Sequence, residues 1–211
     1  ELSMKRFIAL LAISSLAFGA VACSSNDDTS STPSPAAAVT TPPTTDGGIP
    51  APEFTAPEVG ASTTYQGKGF SIDHPKNWDV TEQGGDCTAT LCVTAPAQDG
   101  LIPAIIAVSV FEGYDPENLQ TAWNQVRQLA LGSTGVDPKT VPNTQGDTTL
   151  AGLPAKTADY TLDWGLIPAS ATQTMTLDSK GTAYVVTFMS SADTWDDLQP
   201  TSDEAFSSFA L

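Results

Sequence analysis

The sequence predicts an α+β domain in which an antiparallel β-sheet is flanked by helices. Several short segments alternate apolar and polar residues with a period of two, and one segment is apolar at nearly every position. Two further stretches carry an apolar stripe at helical spacing. Strands that follow one another through short turns pair antiparallel, and a few helices are left to cover the sheet. We therefore expect an α+β sandwich.

The first strands are placed by their alternation and by the turn between them. Residues 69–73 alternate as a strand, and the His-Pro-Lys-Asn sequence at 74–77 turns the chain into a second strand at 78–81. Residues 104–111 (AIIAVSVF) indicate a strand covered on both faces, because almost every position is apolar.

The last strands form a run without helices between them. In the first, Ala158, Tyr160 and Leu162 point to one side, and Thr157 and Asp159 point to the other. A tight turn, Asp-Ser-Lys-Gly, joins the second strand to the third as a hairpin. These three predicted strands span residues 155–164, 170–177 and 182–189.

Two helices are predicted. Asp115 offers an N-cap with Pro116 in the first helical position, and the helix ends at Gly132. Its apolar stripe consists of Leu119, Ala122, Trp123, Val126, Leu129 and Ala130. A closing helix is expected at 203–209, with Ala205, Phe206 and Phe209 on one side.

The composition indicates an exported protein and argues against an anionic partner. The chain has 211 residues and a formal net charge of -16, so nucleic acid and anionic lipid headgroups would repel it. Only 15% of the residues are charged, against about 25% in an average soluble domain. No motif indicates a cofactor or a metal, and we expect neither.

The N-terminus is typical of an export signal. Lys5 and Arg6 precede an apolar run, 7–22, that would form only about 24 Å of helix against a hydrocarbon core of ~30 Å. The small residues Ala20 and Ala22 stand before Cys23, in a pattern that resembles a bacterial lipobox. Acylation of Cys23 would anchor the protein on the extracytoplasmic face of the cell membrane. Cleavage after Ala22 by an ordinary signal peptidase is the alternative.

Three regions are predicted along the chain. Residues 1–22 form the lipoprotein signal peptide, 23–62 the acylated Cys with a Pro/Thr/Ser-rich disordered stalk, and 63–211 the globular domain. Between residues 24 and 62 there are seven prolines and thirteen Ser or Thr, too little apolar surface to fold. An extended stalk of this length would reach about 100 Å.

Two segments of the domain resemble a known family. Residues 65–80, in which a Gly-Phe strand leads through a Pro to a Trp, look like the opening of PsbP-like domains, and 203–209 are similar to the helix that closes them. With the lipobox and stalk, the chain resembles actinobacterial Lpq-type lipoproteins of the LpqN/LpqT group. The resemblance implies a PsbP-like α/β/α sandwich and a role as a binding or assembly module. The Cys87 and Cys92 pair is not part of the family pattern.

Two cysteines lie in a predicted hairpin of the domain. Outside the cytoplasm two nearby thiols are normally oxidised, so we expect a disulfide between Cys87 and Cys92. A zinc site would need two further ligands, and the only histidine, His74, precedes the Pro turn.

Catalytic and calcium sites find little support in the residues. A hydrolase would use His74 as its general base, but no Gly-x-Ser-x-Gly or comparable motif accompanies it. Asp193, Asp196 and Asp197 lack the spacing of a calcium loop, so helix capping or solvation is the favoured interpretation. No catalytic residue is therefore assigned.

Two apolar loop tips are the predicted partner-binding residues. One contains Trp164, Leu166 and Ile167, and the other contains Leu101 and Ile102. Exposed apolar tips on an acidic surface are sites where a partner can dock, although either tip can instead fold back onto the sheet. In that case the binding surface would be sought on the Thr-rich strand face of Thr172, Thr174 and Thr176.

The sequence thus leads to two functional hypotheses. The first is a surface-anchored, non-enzymatic module that binds an envelope protein or an amphiphilic envelope lipid. The second is an exported hydrolase that uses His74.

Overall fold

The fold is built on a seven-stranded antiparallel sheet. The computed structural model describes residues 55–85, 87–98, 102–134, 141–164 and 167–211, apart from the side chains of Asp163 and Trp164. In chain order the elements are β1 (Ser62–Gln66), β2 (Ser71–Pro75), β3 (Asp79–Gly84), β4 (Cys87–Thr94), β5 (Ile105–Phe111), α1 (Leu119–Gly132), β6 (Thr144–Leu150), β7 (Leu153–Trp164), β8 (Ile167–Leu177), β9 (Ala183–Ser191) and α2 (Trp195–Ser208). A single 3-10 turn, Ala192–Thr194, leads into α2.

The strands of the large sheet lie in the order β3-β4-β5-β9-β8-β7-β6, and β1 and β2 pair as a separate hairpin. The last strand, β9, runs between β5 and β8, so it joins the first and second halves of the domain. All nine residues of β9 are buried. A strand buried at every position needs cover on both faces of the sheet.

Helices provide that cover on opposite faces. Tyr184, Val186 and Phe188 of β9 pack in one cluster with residues of α2 and of the β1–β2 hairpin. The alternate residues Val185 and Met189 pack in a second cluster with the apolar stripe of α1. The predicted fold class, an antiparallel sheet flanked by helices, is confirmed.

The start of α1 differs from the prediction. Its N-cap is Asn118, whose side-chain oxygen accepts a hydrogen bond of 3.2 Å from the backbone N–H of Thr121. Asp115 caps the preceding turn, where its carboxylate accepts from the backbone N–H of Glu117 at 3.0 Å. The predicted cap was wrong because Asp115 and Asn118 are both good capping residues, and the chain uses them for consecutive turns.

One residue of the predicted α1 stripe is also misplaced. Leu129 is 58% exposed, whereas its neighbour Leu131 is fully buried. The other buried residues, Ala122, Trp123, Val126 and Ala130, face the sheet as expected. Near the C-terminal end of α1, the sheet does not extend beneath Leu129, so this side chain stays exposed.

The closing helix is longer than predicted. It begins at Trp195 and ends at Ser208, so Phe209 lies just beyond it in extended backbone. Pro200 lies inside the helix and lacks an N–H, which costs one backbone hydrogen bond near the start. Leu198 and Ala205 are buried against the sheet, and this packing maintains the helix through the proline.

The strands β1 and β6 are elements that the sequence did not indicate, whereas the edge strand β3 corresponds to the strand predicted at 78–81. In β6 every residue before Leu150 is exposed, and in β1 no residue is fully buried, so neither shows an apolar face. The predicted turn at 74–77 is shorter than expected, because β2 continues through His74 to Pro75. The three strands predicted at 155–164, 170–177 and 182–189 are confirmed as β7, β8 and β9.

The hairpin between β8 and β9 is confirmed. The backbone N–H of Gly181 donates to the carbonyl of Asp178 at 3.1 Å, and Gly181 has a positive φ of 81°. One carboxylate oxygen of Asp178 also accepts from the N–H groups of Lys180 and Thr182. A Cβ on Gly181 would meet the Tyr114 carbonyl oxygen at 2.0 Å, so only glycine fits this turn.

The segment before β1 lies against the domain. The side chain of Asn77 donates to the carbonyl of Glu58 and accepts from the N–H of Gly60, both at 2.8 Å. Pro57 is buried, and Ala56 packs against the core. Among the described residues no helix is long and apolar enough to cross a bilayer.

The two candidate caps of α1 give a first prediction. We expect Asn118→Ala to lower the free energy of unfolding by about 1 kcal/mol, because it leaves an N–H group of the first turn without its partner. Asp115→Ala removes only the cap of the preceding turn, so we expect a smaller loss. Urea-induced unfolding of both variants measures this, and a larger effect at Asp115 would contradict the capping geometry.

Candidate functional site

The predicted loop tips are only partly within the described structure. Cys23, Leu101 and Leu166 lie outside the described residues, and so does the side chain of Trp164. Binding through the tips therefore stays a prediction.

The two described tip residues are partly buried. Ile102 packs against the core cluster under α1, and its backbone N–H donates to the hydroxyl of Ser191 at 2.8 Å. Ile167 begins β8 and pairs with Trp164 across the hairpin. Neither residue is among the large exposed hydrophobic side chains of the described structure.

The Thr-rich strand face is largely inaccessible. Thr174 is 6% exposed and Thr176 is fully buried, with its hydroxyl donating to the carbonyl of Pro154 at 2.9 Å. Only Thr172 is partly exposed. The prediction that these three threonines form a binding surface was wrong, because β7 and the neighbouring core bury two of them.

The predicted disulfide between Cys87 and Cys92 is present. Both cysteines belong to β4, the second strand of the β3–β4 hairpin. Their Cα atoms are 5.8 Å apart, whereas five steps of a straight strand would span about 16 Å. The chain between them therefore arcs, and the disulfide closes this arc over Ala107 of β5.

The only histidine has no catalytic geometry. His74 is 6% exposed, and its Nδ1 lies 2.9 Å from the carbonyl oxygen of Pro75, to which it donates. The same carbonyl accepts from the backbone N–H of Trp78 at 3.1 Å. His74 thus stabilises the strand-to-turn junction and lines none of the cavities of the described structure.

The three aspartates considered for calcium lie around the start of α2. Asp193, Asp196 and Asp197 are exposed, and the last two occupy the first turn, where a carboxylate stabilises the helix dipole. Within the described ranges, no three His, Cys, Asp or Glu side chains come together as a metal site requires.

A groove exists where α1 fails to cover the sheet. The helix contacts β7, β8 and β9, and no helix of the described residues packs on the same face of β3, β4 and β5. Two adjoining cavities of about 490 and 460 Å³ fill this space. Both lie within the range of about 300–1,000 Å³ that is usual for small-molecule sites.

We call this space the disulfide groove. The first cavity is lined by Thr81, Gly84, Gly85, Cys87, Thr88, Cys92, Thr94, Ile105, Gly132, Ser133 and Thr134. The second is lined by Gln83, Thr88, Ala89, Thr90, Ser109, Val110, Phe111, Leu129, Gly132 and Ser133. Together they follow β5 from Ile105 to Phe111, a length of about 20 Å.

The end of α1 is hydrogen-bonded to the sheet at the middle of the groove. The Thr88 hydroxyl donates to the Ser133 carbonyl at 2.6 Å, and the hydroxyls of Ser133 and Ser109 are 3.3 Å apart. The Ser133 hydroxyl also donates to the carbonyl of Ala130 at 2.6 Å. These contacts fix the spacing between helix and sheet, so the groove is preformed.

Among the described residues, no charged or titratable side chain lines the groove. Its described walls are threonine and serine side chains, the Gln83 amide, glycines, the disulfide and apolar residues such as Ile105, Phe111 and Leu129. The only cation of α1, Arg127, lies instead beside Tyr160 under the helix. Burial raises the pKa of Tyr160, and Arg127 opposes that rise.

Comparisons with known proteins give structural neighbours but no family. No protein-family model matches the chain, and no curated protein matches it. The solution structure of cyanobacterial PsbP (CyanoP) from Synechocystis sp. PCC 6803 is 15% identical, covering 73% of this chain and 94% of that chain with a TM-score of 0.48. The crystal structure of LpqN, described as involved in cell envelope biogenesis of Mycobacterium tuberculosis, is 14% identical, covering 71% and 90% with a TM-score of 0.48.

The predicted resemblance is thus matched by similar structures at low identity, without a family assignment from sequence. Both TM-scores lie below 0.5, so the fold class rests on the sheet and helices of this chain. The neighbours' roles are not transferred to it.

The disulfide groove is a site that the sequence did not reveal. Its walls come from four consecutive elements, β3, β4, β5 and the end of α1, and the sequence did not show that α1 would leave space beside these strands. One local signal was the cysteine pair. A second was Gly132 at the end of α1 with Ser133 as its C-cap, because small residues at a helix end leave space beside it.

Loss of the disulfide gives a second prediction. Replacing Cys87 and Cys92 together by Ala should lower the free energy of unfolding by about 2 kcal/mol, since a six-residue loop is released. Urea-induced unfolding of the purified protein is the measurement. Reductant should destabilise the wild type by the same amount and leave the double variant unaffected. A change below about 0.5 kcal/mol would show that the arc is held by its other contacts.

Proposed function

We propose that the protein is a lipid-anchored, non-enzymatic binding module of the cell envelope that holds the aliphatic chain of an amphiphilic lipid in the disulfide groove. The observation that carries the proposal is a preformed groove in which none of the described lining residues is charged, in a protein of net charge -16. An uncharged aliphatic chain is the ligand that loses least when it enters such a groove.

The shape of the groove also favours an extended chain. Its two cavities lie end to end along β5, and they meet at Thr88, Gly132 and Ser133. The hydroxyl groups of Thr88 and Ser133 are already hydrogen-bonded, so they present mainly their carbon atoms to a ligand. An aliphatic chain leaves these bonds intact.

The expected affinity is moderate. Each buried methylene contributes about 0.8 kcal/mol, so eight of them contribute about 6 kcal/mol. This corresponds to a Kd on the order of tens of micromolar. Such an affinity suits a protein that exchanges a lipid with a membrane rather than storing it.

The hydrolase alternative lacks a supporting geometry. His74 is buried, donates through Nδ1 to a neighbouring carbonyl, and lies outside the groove. A general base needs an accessible nitrogen within hydrogen-bond reach of a nucleophile. The proposal therefore assigns His74 to the fold.

Anchoring through Cys23 belongs to the same proposal. The apolar run before Cys23 and the polar, proline-rich segment after it support an acylated cysteine followed by a stalk. The stalk would hold the groove at the extracytoplasmic face, where its ligand is supplied by the envelope.

Gly132 provides the test of the groove. It lines both cavities, and a Cβ placed on it meets no atom within 4 Å. Gly132→Leu should therefore fill the groove while leaving the fold intact, since leucine is the better helix former. We expect binding of the apolar fluorescent probe N-phenyl-1-naphthylamine to weaken at least tenfold, with an unchanged or slightly raised Tm.

Gly146→Leu is the matched control. Gly146 lies on β6, outside the groove, and a Cβ there also meets nothing within 4 Å. This variant should bind the probe like the wild type, and the neutral lipid monolaurin should displace the probe from both. Equal binding by the two variants would refute the groove. Probe that monolaurin does not displace would refute an aliphatic ligand and make a peptide segment the next candidate.

The anchor gives a separate prediction. Cys23→Ala should move the protein from the detergent-extracted membrane to the soluble exported fraction, because two or more acyl chains are needed for stable attachment. The Cys87→Ala/Cys92→Ala double variant should stay in the membrane fraction. A wild-type N-terminal peptide without acyl mass would overturn the lipoprotein interpretation and favour cleavage after Ala22.

A further inference from the structure

A second cavity lies on the opposite face of the sheet from the disulfide groove. Alternation along β7 places Ala158, Tyr160 and Leu162 in the core under α1, while Asp159 and Thr161 are exposed on the other face. On that other face α2 packs mainly against β2 and β9. The outer strands β6, β7 and β8 therefore keep a polar surface beside the start of α2.

This surface and α2 enclose a cavity of about 330 Å³, which we call the polar pocket. Its described lining includes the aromatic side chain of Trp195 and side chains that carry amides, hydroxyls and, in Asp159, a carboxylate. The lining residues that matter here are Asn143, Asp159, Thr161, Thr172, Trp195 and Gln199. The volume is at the lower end of the range for small-molecule sites, about 300–1,000 Å³.

The polar side chains are held in place by one another. One oxygen of the Asp159 carboxylate accepts from the Thr144 hydroxyl at 2.6 Å, and the other accepts from the Thr172 hydroxyl at 2.7 Å. The Asn143 side chain donates to the Thr161 hydroxyl at 2.6 Å. The backbone N–H of Asn143 donates to the Asp159 carbonyl at 2.8 Å. The network is preformed and spans three adjacent strands.

This network has capacity left for a ligand. A hydroxyl that donates to a carboxylate still accepts through its lone pairs, and each carboxylate oxygen accepts more than one hydrogen bond. The Asn143 and Gln199 amides supply both donors and acceptors. A ligand rich in hydroxyl groups, each a donor and an acceptor, matches this arrangement.

Trp195 supplies an apolar wall. It is partly exposed, and its ring lies 5.6 Å from that of Phe188, which fixes its position against the core. Gln199 follows four residues later on the same side of α2, so it lies next to Trp195 in the pocket. Aromatic rings offer an apolar body against which the C–H face of a sugar ring can pack.

We propose that the polar pocket binds a neutral saccharide. Asp159 and the exposed Asp196 and Asp197 at the start of α2 would repel an anionic ligand. An aliphatic chain would leave the amides of Asn143 and Gln199 without partners. A neutral sugar carries no negative charge, and its hydroxyl groups pair with the polar side chains while its C–H face covers Trp195. This inference is independent of the disulfide groove, which lies on the other face of the sheet.

Saturation-transfer NMR with the neutral trisaccharides maltotriose, mannotriose and chitotriose tests the proposal on the purified full chain. We expect at least one of them to receive saturation from the protein and to quench tryptophan fluorescence. The anionic trisaccharide trigalacturonic acid should show neither effect. If none of the three neutral sugars binds, the saccharide assignment is wrong.

Two variants locate the binding. Gln199→Ala removes an amide from the pocket, and Asp159→Asn removes the charge while keeping the shape, so each should weaken sugar binding at least fivefold. Gln128→Ala, an exposed glutamine on α1, is the matched control and should bind like the wild type. The Gly132→Leu variant should also bind sugar like the wild type, so the test of the polar pocket is independent of the test of the disulfide groove. Sugar binding that is unchanged in both pocket variants would refute the pocket.

Discussion

The structure depends on β9, the strand that is buried on both faces at the centre of the sheet. Because every residue of β9 is buried, both faces of the sheet must be covered there, and the fold has one helix for each face. A helix is about 10–12 Å wide, whereas seven strands at about 4.8 Å spacing form a sheet roughly 29 Å across. One helix per face therefore leaves part of each face open. The disulfide groove and the polar pocket are two such open parts. Helix α1 contacts β7, β8 and β9 and leaves β3–β5 open on its face, whereas α2 packs mainly against β2 and β9 and leaves the outer strands β6 and β7 open on the other.

Different side chains occupy the two parts of the sheet that no helix of the described residues covers. On the α1 face, the arc of β4 and its disulfide cover Ala107, so sulfur and small side chains take the place of a helix. On the α2 face, β7 and β8 carry threonines and Asp159 that hydrogen-bond across the strands. The described lining of the groove is uncharged, whereas that of the polar pocket carries a carboxylate, amides and hydroxyl groups. The chemistry of each candidate ligand follows from how the sheet was left uncovered.

The sequence predicted the elements whose periodicity comes from burial. β5, β7, β8, β9 and most of α1 were recognisable because one or both of their faces contact the core. β1 and β6 were not, since edge strands have no apolar face to reveal them. Two details of α1 depend on how the helix is placed on the sheet. One is the use of Asn118 instead of Asp115 as its N-cap, and the other is the exposure of Leu129. The cysteine pair was predicted from compartment and spacing, but the groove around it was not. Its walls join Thr81, Ile105 and Ser133, residues that only the strand order brings together.

The negative charge of the protein affects which ligands can approach the groove and the polar pocket. The sequence contains twenty-four acidic residues against eight basic ones. Among the described residues that line the groove and the polar pocket, Asp159 alone carries a carboxylate, and each of its oxygens accepts a hydrogen bond from a hydroxyl group. At physiological ionic strength the field of the surface acids extends about 8 Å, far enough to reach a molecule at either cavity mouth. Anionic ligands are therefore disfavoured at encounter, whereas neutral ones are not. An acidic surface thus disfavours anions before they reach either site, which agrees with the neutral ligands that we propose for the groove and the polar pocket.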